Sequence, residues 1–159
     1  MKVTEALFLE VYDSYKNTVY SVIFNYVKNV DDTADLLQEV FIKFLNSDTE
    51  FESEEHMKAW LIRVAANMSK NLLRSNRRKS DEPLPEDIPY NPKEENSDLI
   101  TMVLALPEKY RIPIHLFYYE DYSVKQIATV LDIPESTVKV RLKRGREKLR
   151  KSLQKEGWL

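Results

Sequence analysis

Four polar side chains, Arg63, Asn67, Lys70 and Arg74, recur at intervals of four, three and four residues, which places them on one face of a helix. Trp60 stands at the edge of that face. Cations meet phosphates and an indole ring stacks on an unpaired base, so this grouping has chemistry suited to a nucleic acid. A second set, Ser136, Val140, Lys143, Arg144 and Glu147, points one way from a later segment, with Lys139 and Arg141 on its flanks. Such residues hold phosphates and reach base edges in a major groove. A third set, Asp35, Gln38, Glu39 and Ile42, puts two carboxylates and an amide beside an outward isoleucine. For each set a merely solvated helix face is the plain alternative.

Chemistry of other kinds finds little support. Paired carboxylates can serve acid–base catalysis, but nothing near Asp35 and Glu39 completes a site. His56 and His115 are isolated, no glycine loop cradles a phosphate, and no nucleophile stands beside a base. The chain has no cysteine, so it builds neither a disulfide nor a thiolate metal site. No enzyme activity, cofactor or metal is expected.

The elements that must position these sets are helices. Gly145 and Gly157 are the only glycines, and apolar residues recur every three or four positions. The fold class read from this is all-α. Asp31–Leu45 carries Leu37, Val40, Phe41, Phe44 and Leu45 as one apolar face, opposite the third set. A helix from about His56 to Asn76 buries Leu61, Val64, Ala65, Met68 and Leu72, with Arg77, Arg78 and Lys79 extending its charge beyond its end. Between them Asn46–Glu55 is polar except for Phe51, a loop with one exposed or docking aromatic.

In the carboxy-terminal half Ser123-Val124-Lys125-Gln126 matches a capping box and starts a short helix whose buried face is Ile127, Ala128 and Leu131. Leu131-Asp132-Ile133 makes a tight turn, and Pro134 fits the first turn of a second helix. Val138, Leu142, Gly145, Leu149 and Leu153 form that helix's packing stripe. The pattern is helix-turn-helix. Upstream, Leu106-Pro107-Glu108 starts another helix, with Ile112, Leu116 and Tyr119 as its packing stripe and a bend expected at Pro113.

The net charge of −2 hides an asymmetry. Ser123 to Leu159 holds ten Lys or Arg against four acids, whereas Asp81 to Glu95 holds six acids against Lys93 alone. That acidic stretch also contains Pro83, Pro85, Pro89 and Pro92, so it reads as an extended linker between two domains. The expected division is 1–79, a linker at 80–96, and 97–159. Met1 to Asn17 has no apolar secretory stretch, and the longest uncharged run, Asn17 to Val27, is 11 residues against the roughly 20 that a membrane span needs. A soluble chain that stays in the cytoplasm, with no direct membrane insertion, is expected.

Together the segments DLLQEVFIKFL (35–45), AWLIRVAANMSKNLLR (59–74), LPEKYR (106–111) and YSVKQIATVLDIPESTVKVRLKRGREKL (122–149) resemble the extracytoplasmic-function sigma factors of bacterial RNA polymerase, in order and spacing. Three departures stand out: Ala66 and Asn71 occupy positions where an Arg and an Asp are common, and Asp132 replaces the usual turn glycine. The resemblance implies a region 2-like helical bundle and a region 4-like helix-turn-helix domain. It implies that Asp35, Gln38, Glu39 and Ile42 dock on core RNA polymerase, and that Phe51, Lys58, Trp60, Arg63, Asn67, Lys70 and Arg74 engage the −10 element of promoter DNA. It further implies that Ser136, Thr137, Lys139, Val140, Arg141, Lys143 and Arg144 read the −35 element, and that the linker threads into the polymerase channels. An anti-sigma factor, free or membrane-anchored, is the implied inhibitor of a chain that is monomeric when free. The competing reading is a free-standing helix-turn-helix regulator, which predicts a stable dimer and a palindromic site; no heptad seam supports it.

Overall fold

The computed structural model describes residues 1–79 and 97–157, and the expected proline-rich linker lies outside the described residues. Among the described residues there are seven helices and no strand, as the glycine-poor, three-and-four periodicity predicts. The chain divides into two compact units, Met1–Pro83 and Leu84–Leu159.

The first unit contains α1 (Glu5–Val27), α2 (Val30–Leu45) and α3 (Glu54–Lys79), each packed on the other two. Short-range hydrogen bonds set the ends. Thr4 caps α1 by accepting from the Leu7 amide at 3.2 Å. Lys28, in the left-handed region at φ 55°, closes it, and Asn29 at once caps α2 by accepting from the Asp32 amide at 2.9 Å. Ahead of α3, Ser53 Oγ accepts from the His56 amide while His56 Nδ1 accepts from the Glu52 amide, both at 3.1 Å. His56 therefore works as a helix-end ligand. Val19, Val22, Ile23, Val40, Phe44, Met57, Leu61, Ile62 and Ala65 fill the interior. At roughly 1.5–3 kcal/mol for each large apolar side chain removed from water, these contacts outweigh any single cap.

Several sequence expectations change here. Leu36 and Thr33 are buried on α2, whereas Leu45 is 45% exposed, because it lies a further 100° round the helix from Phe44. On α3 the buried face is wider than expected and includes Met57, Ile62, Ala66 and Ser69, since the helix packs on two neighbours. Val64, Met68 and Leu72 are only half-buried on its margins. Residues 77–79 belong to α3 itself.

The second unit contains α4 (Ser97–Ala105), α5 (Glu108–Tyr118), α6 (Val124–Leu131) and α7 (Glu135–Lys155). The buried Arg111 guanidinium donates to the carbonyls of Leu104 at 3.3 Å and Leu106 at 2.8 Å, satisfying acceptors at the end of α4 that no helix amide reaches. The helix α5 runs on through Pro113 to Tyr118, and Pro113 is buried. Ile112 and Leu116 pack as expected, but Tyr119 is the cap residue after α5 and is 50% exposed. Gly145 lets α7 approach α5 closely: a Cβ there would stand 2.9 Å from Ile114 Cγ1 and 3.4 Å from Tyr110 Cβ.

Candidate nucleic-acid interface

The helix-turn-helix forms as its sequence dictates. Ser123 Oγ accepts from the Gln126 amide at 3.1 Å, and Gln126 Oε1 accepts from the Ser123 amide at 2.8 Å, so both halves of the capping box are present. Two helix-end donors are thereby satisfied, an arrangement typically worth about 1 kcal/mol. Asp132 ends α6 in the left-handed region at φ 55° and ψ 51°, the conformation for which glycine is usual and aspartate is among the better substitutes. Pro134 is the residue before α7 and not its first helical one, with extended backbone at ψ 148°.

The turn lays α7 across α5 and α6 with Val138, Leu142 and Gly145 buried. Ser136, Lys139, Val140, Lys143 and Arg144 consequently stand together in solvent, and Val140 is 45% exposed. Thr137 and Arg141 are half-buried at the margin. An exposed valine among hydroxyl and cationic groups suits a thymine methyl beside phosphates and acceptor-rich base edges.

In the first unit Arg63, Asn67 and Arg74 are exposed along one face of α3, with Lys70 half-buried in the same row. The Lys70 ammonium lies 5.9 Å from the centre of the Tyr26 ring, which directs it along the protein surface. Trp60 is half-buried, its ring 5.8 Å from those of Phe44 and Phe51, and Lys58 beside it is half-buried. The structure corrects the reading of Phe51: it is 1% exposed, enclosed by Phe44, His56 and Trp60, and cannot meet an incoming base as it stands. The polar loop docks this aromatic into the core. On the opposite side of α2 from its buried stripe, Asp35, Gln38, Glu39 and Ile42 are all exposed, Ile42 at 56%.

Sequence reading passed over a second basic feature. Lys109 and Lys148 bring their ammonium groups to 5.0 and 5.8 Å from the centre of the Tyr110 ring. The two lysines are 39 positions apart on α5 and α7, so only tertiary packing unites them. Among the described residues no cluster of His, Asp or Glu suits a metal, and no helix is long and apolar enough to cross a membrane.

Comparison with known proteins bears on both units. Residues 11–79 match the family model described as Sigma-70 region 2, and residues 97–149 match Sigma-70, region 4. The first match gives the amino-terminal half a place that a free-standing helix-turn-helix regulator does not require. Among curated relatives, the ECF RNA polymerase sigma factor SigW of Bacillus subtilis is 32% identical, with 92% of this chain and 88% of the relative covered. RNA polymerase sigma factor SigV of the same organism is 30% identical, covering 96% and 95%. Among solved structures, the sigma factor RpoE in complex with the anti-sigma factor NepR from Bartonella quintana shares the fold at a TM-score of 0.80 and 21% identity, covering 92% of this chain and 96% of that one. CnrH in complex with the cytosolic domain of CnrY gives a TM-score of 0.71 at 19% identity, covering 95% and 90%. The chain belongs to the sigma-70 family of RNA polymerase sigma factors, in its ECF group, and is an alternative sigma factor.

Proposed function

We propose that this sigma factor divides its work among three surfaces. Residues 1–79 dock on core RNA polymerase through Asp35, Gln38, Glu39 and Ile42, and they engage the −10 element through Lys58, Trp60, Arg63, Asn67, Lys70 and Arg74. Residues 97–159 read the −35 element through Ser136, Thr137, Lys139, Val140, Arg141, Lys143 and Arg144, and 80–96 join the two domains. The observation that carries this reading is the exposed face of α7, presented behind the capped α6 with Val140 amid cations. Phe51 acts indirectly, by supporting Trp60 from the core.

The protein works in the cytoplasm as an initiation factor without catalytic chemistry of its own. RpoE and CnrH were solved with the anti-sigma factor NepR and with the cytosolic domain of CnrY. By that likeness an anti-sigma factor holds this chain inactive by covering the Ile42 row and the DNA-facing side chains. The chain's net charge of −2 fits a protein that meets promoters only as part of a holoenzyme.

Two substitutions separate the surfaces. Ile42→Asp weakens assembly with core polymerase while leaving the fold intact. Lys143→Ala leaves assembly intact and relaxes base preference at one −35 position; a good side-chain-to-base pair carries about 1–3 kcal/mol of discrimination, or roughly 5- to 150-fold. Unchanged assembly in the first variant, or an unchanged −35 preference in both Lys143→Ala and Val140→Ala, refutes the corresponding assignment.

A further inference from the structure

Three cations converge on one phenol beside the face of α7 proposed to read the −35 element. Tyr110 is only 6% exposed, and its base is pinned where Gly145 brings α7 against α5, so the ring has little room to swing. The ammonium groups of Lys109 and Lys148 flank that ring at 5.0 and 5.8 Å. Burial pushes the phenol's pKa up, but the Lys109 and Arg144 side chains at its hydroxyl outweigh this and leave it below 10.0, which makes the hydroxyl a better hydrogen-bond donor. Among the described residues no carboxylate is paired with Lys109, Arg144 or Lys148. The three side chains are exposed around the buried ring, so an anion bound there meets like charges whose mutual repulsion it relieves.

The position of the cluster indicates which anion. Val140, Arg144 and Lys148 follow one another at i+4 intervals along α7, so the cluster prolongs the DNA-facing row by one turn and adds Lys109 from a different helix. We infer that Lys109, Arg144 and Lys148, with the Tyr110 hydroxyl, form a clamp for a backbone phosphate of the promoter duplex beside the −35 element. The clamp rests on the reading of α7 given above and adds to it a residue from α5. Its contribution is to register and affinity. It carries no base preference, because a phosphodiester is the same at every step. The low exposure of Tyr110 gives the clamp a fixed floor, around which Lys109, Arg144 and Lys148 are open to solvent and to DNA.

The test uses the holoenzyme and duplex promoter fragments recovered by run-off transcription. Lys109→Gln and Lys148→Gln are compared with the wild type by the dependence of binding on salt, and by fragments carrying one neutral methylphosphonate linkage at each step around the −35 element. Each lysine removed makes the slope of log K against log salt shallower by about 0.9, equally on all −35 sequences. One methylphosphonate that weakens wild-type binding costs nothing further in the Lys109→Gln, Lys148→Gln double variant. A wild-type linkage map that the double variant reproduces in full overturns the clamp alone. Weakened assembly with core polymerase and an unchanged map overturns it in favour of a protein-contacting surface. Inorganic phosphate that shifts the Tyr110 resonance of the intact free chain, with that same unchanged map, overturns it in favour of a simple anion site. A holoenzyme insensitive to every linkage near the −35 element overturns both the clamp and the reading of α7 beneath it.

Discussion

Replacing Gly145 with alanine tests the packing that holds α7, and with it the DNA-facing row, in place. Two effects oppose each other. Alanine is about 1 kcal/mol more favourable than glycine inside a helix. The new Cβ, however, stands 2.9 Å from Ile114 Cγ1 and 3.2 Å from Ile114 Cδ1, and Cγ1 is too near its backbone to move alone. Forcing an extra carbon into such a contact costs about 1–3 kcal/mol, so Gly145→Ala is net destabilising by about 1 kcal/mol. Removing the obstacle reverses the sign. Ile114→Ala by itself costs about 2–5 kcal/mol, since Ile114 is 2% exposed, but in that background Gly145→Ala stabilises by up to about 1 kcal/mol. Independent sites add to within about 0.5 kcal/mol, whereas this pair is predicted to couple by about 1–3 kcal/mol. Amide hydrogen exchange of the slowest amides in α5 and α7 isolates the stability of the second unit. A stabilising Gly145→Ala in the wild type, or additive effects in the double variant, refutes the close-contact account.

Other outcomes follow from single groups. Burial of His115 holds its imidazole at about 4, below its ordinary 6.5, although the Glu120 carboxylate 3.8 Å from Nε2 pulls the other way. The unfolded chain therefore binds the extra proton first: stability is complete above pH 6.5 and falls by up to about 3 kcal/mol as pH drops towards 4. In His115→Gln, urea titrations of the second unit lose most of that dependence. Ser69 Oγ is fully buried and has no hydrogen-bond partner among the described residues, so Ser69→Ala raises stability by about 1 kcal/mol, read as a higher denaturation midpoint at unchanged slope. The isolated chain, without polymerase, binds duplex promoter fragments only weakly at physiological salt; tight specific binding in a mobility-shift titration contradicts the account of its net acidity.

The parts legible in the sequence were those fixed by neighbours within a few residues. The capping box at Ser123 and Gln126, the left-handed turn at Asp132 and the alternation of buried and exposed faces along α7 all depend on spacings of three or four. The exposed rows on α2 and α3 were legible for the same reason. What escaped depends on partners distant in the chain. Phe51 sits among polar residues, and only the meeting of α2 with α3 encloses it. Arg111 carries no apolar signal, yet it is buried because two carbonyls at the end of α4 need a donor. The helix α1 has charges and aromatics interspersed along its length, so its core positions Val19, Val22 and Ile23 do not form an obvious stripe. The lysines around Tyr110 escaped because they lie on two helices, far apart in the chain, that packing brings together where Gly145 meets Ile114 and Tyr110.

Run-off transcription on genomic fragments, with core RNA polymerase in the presence and absence of this protein, tests the central claim most directly. Discrete new start sites that appear only when the protein is added, sharing sequence at two blocks upstream, are the predicted result. Neither added initiation nor binding to core polymerase, under conditions where another sigma factor supports both, would contradict the account.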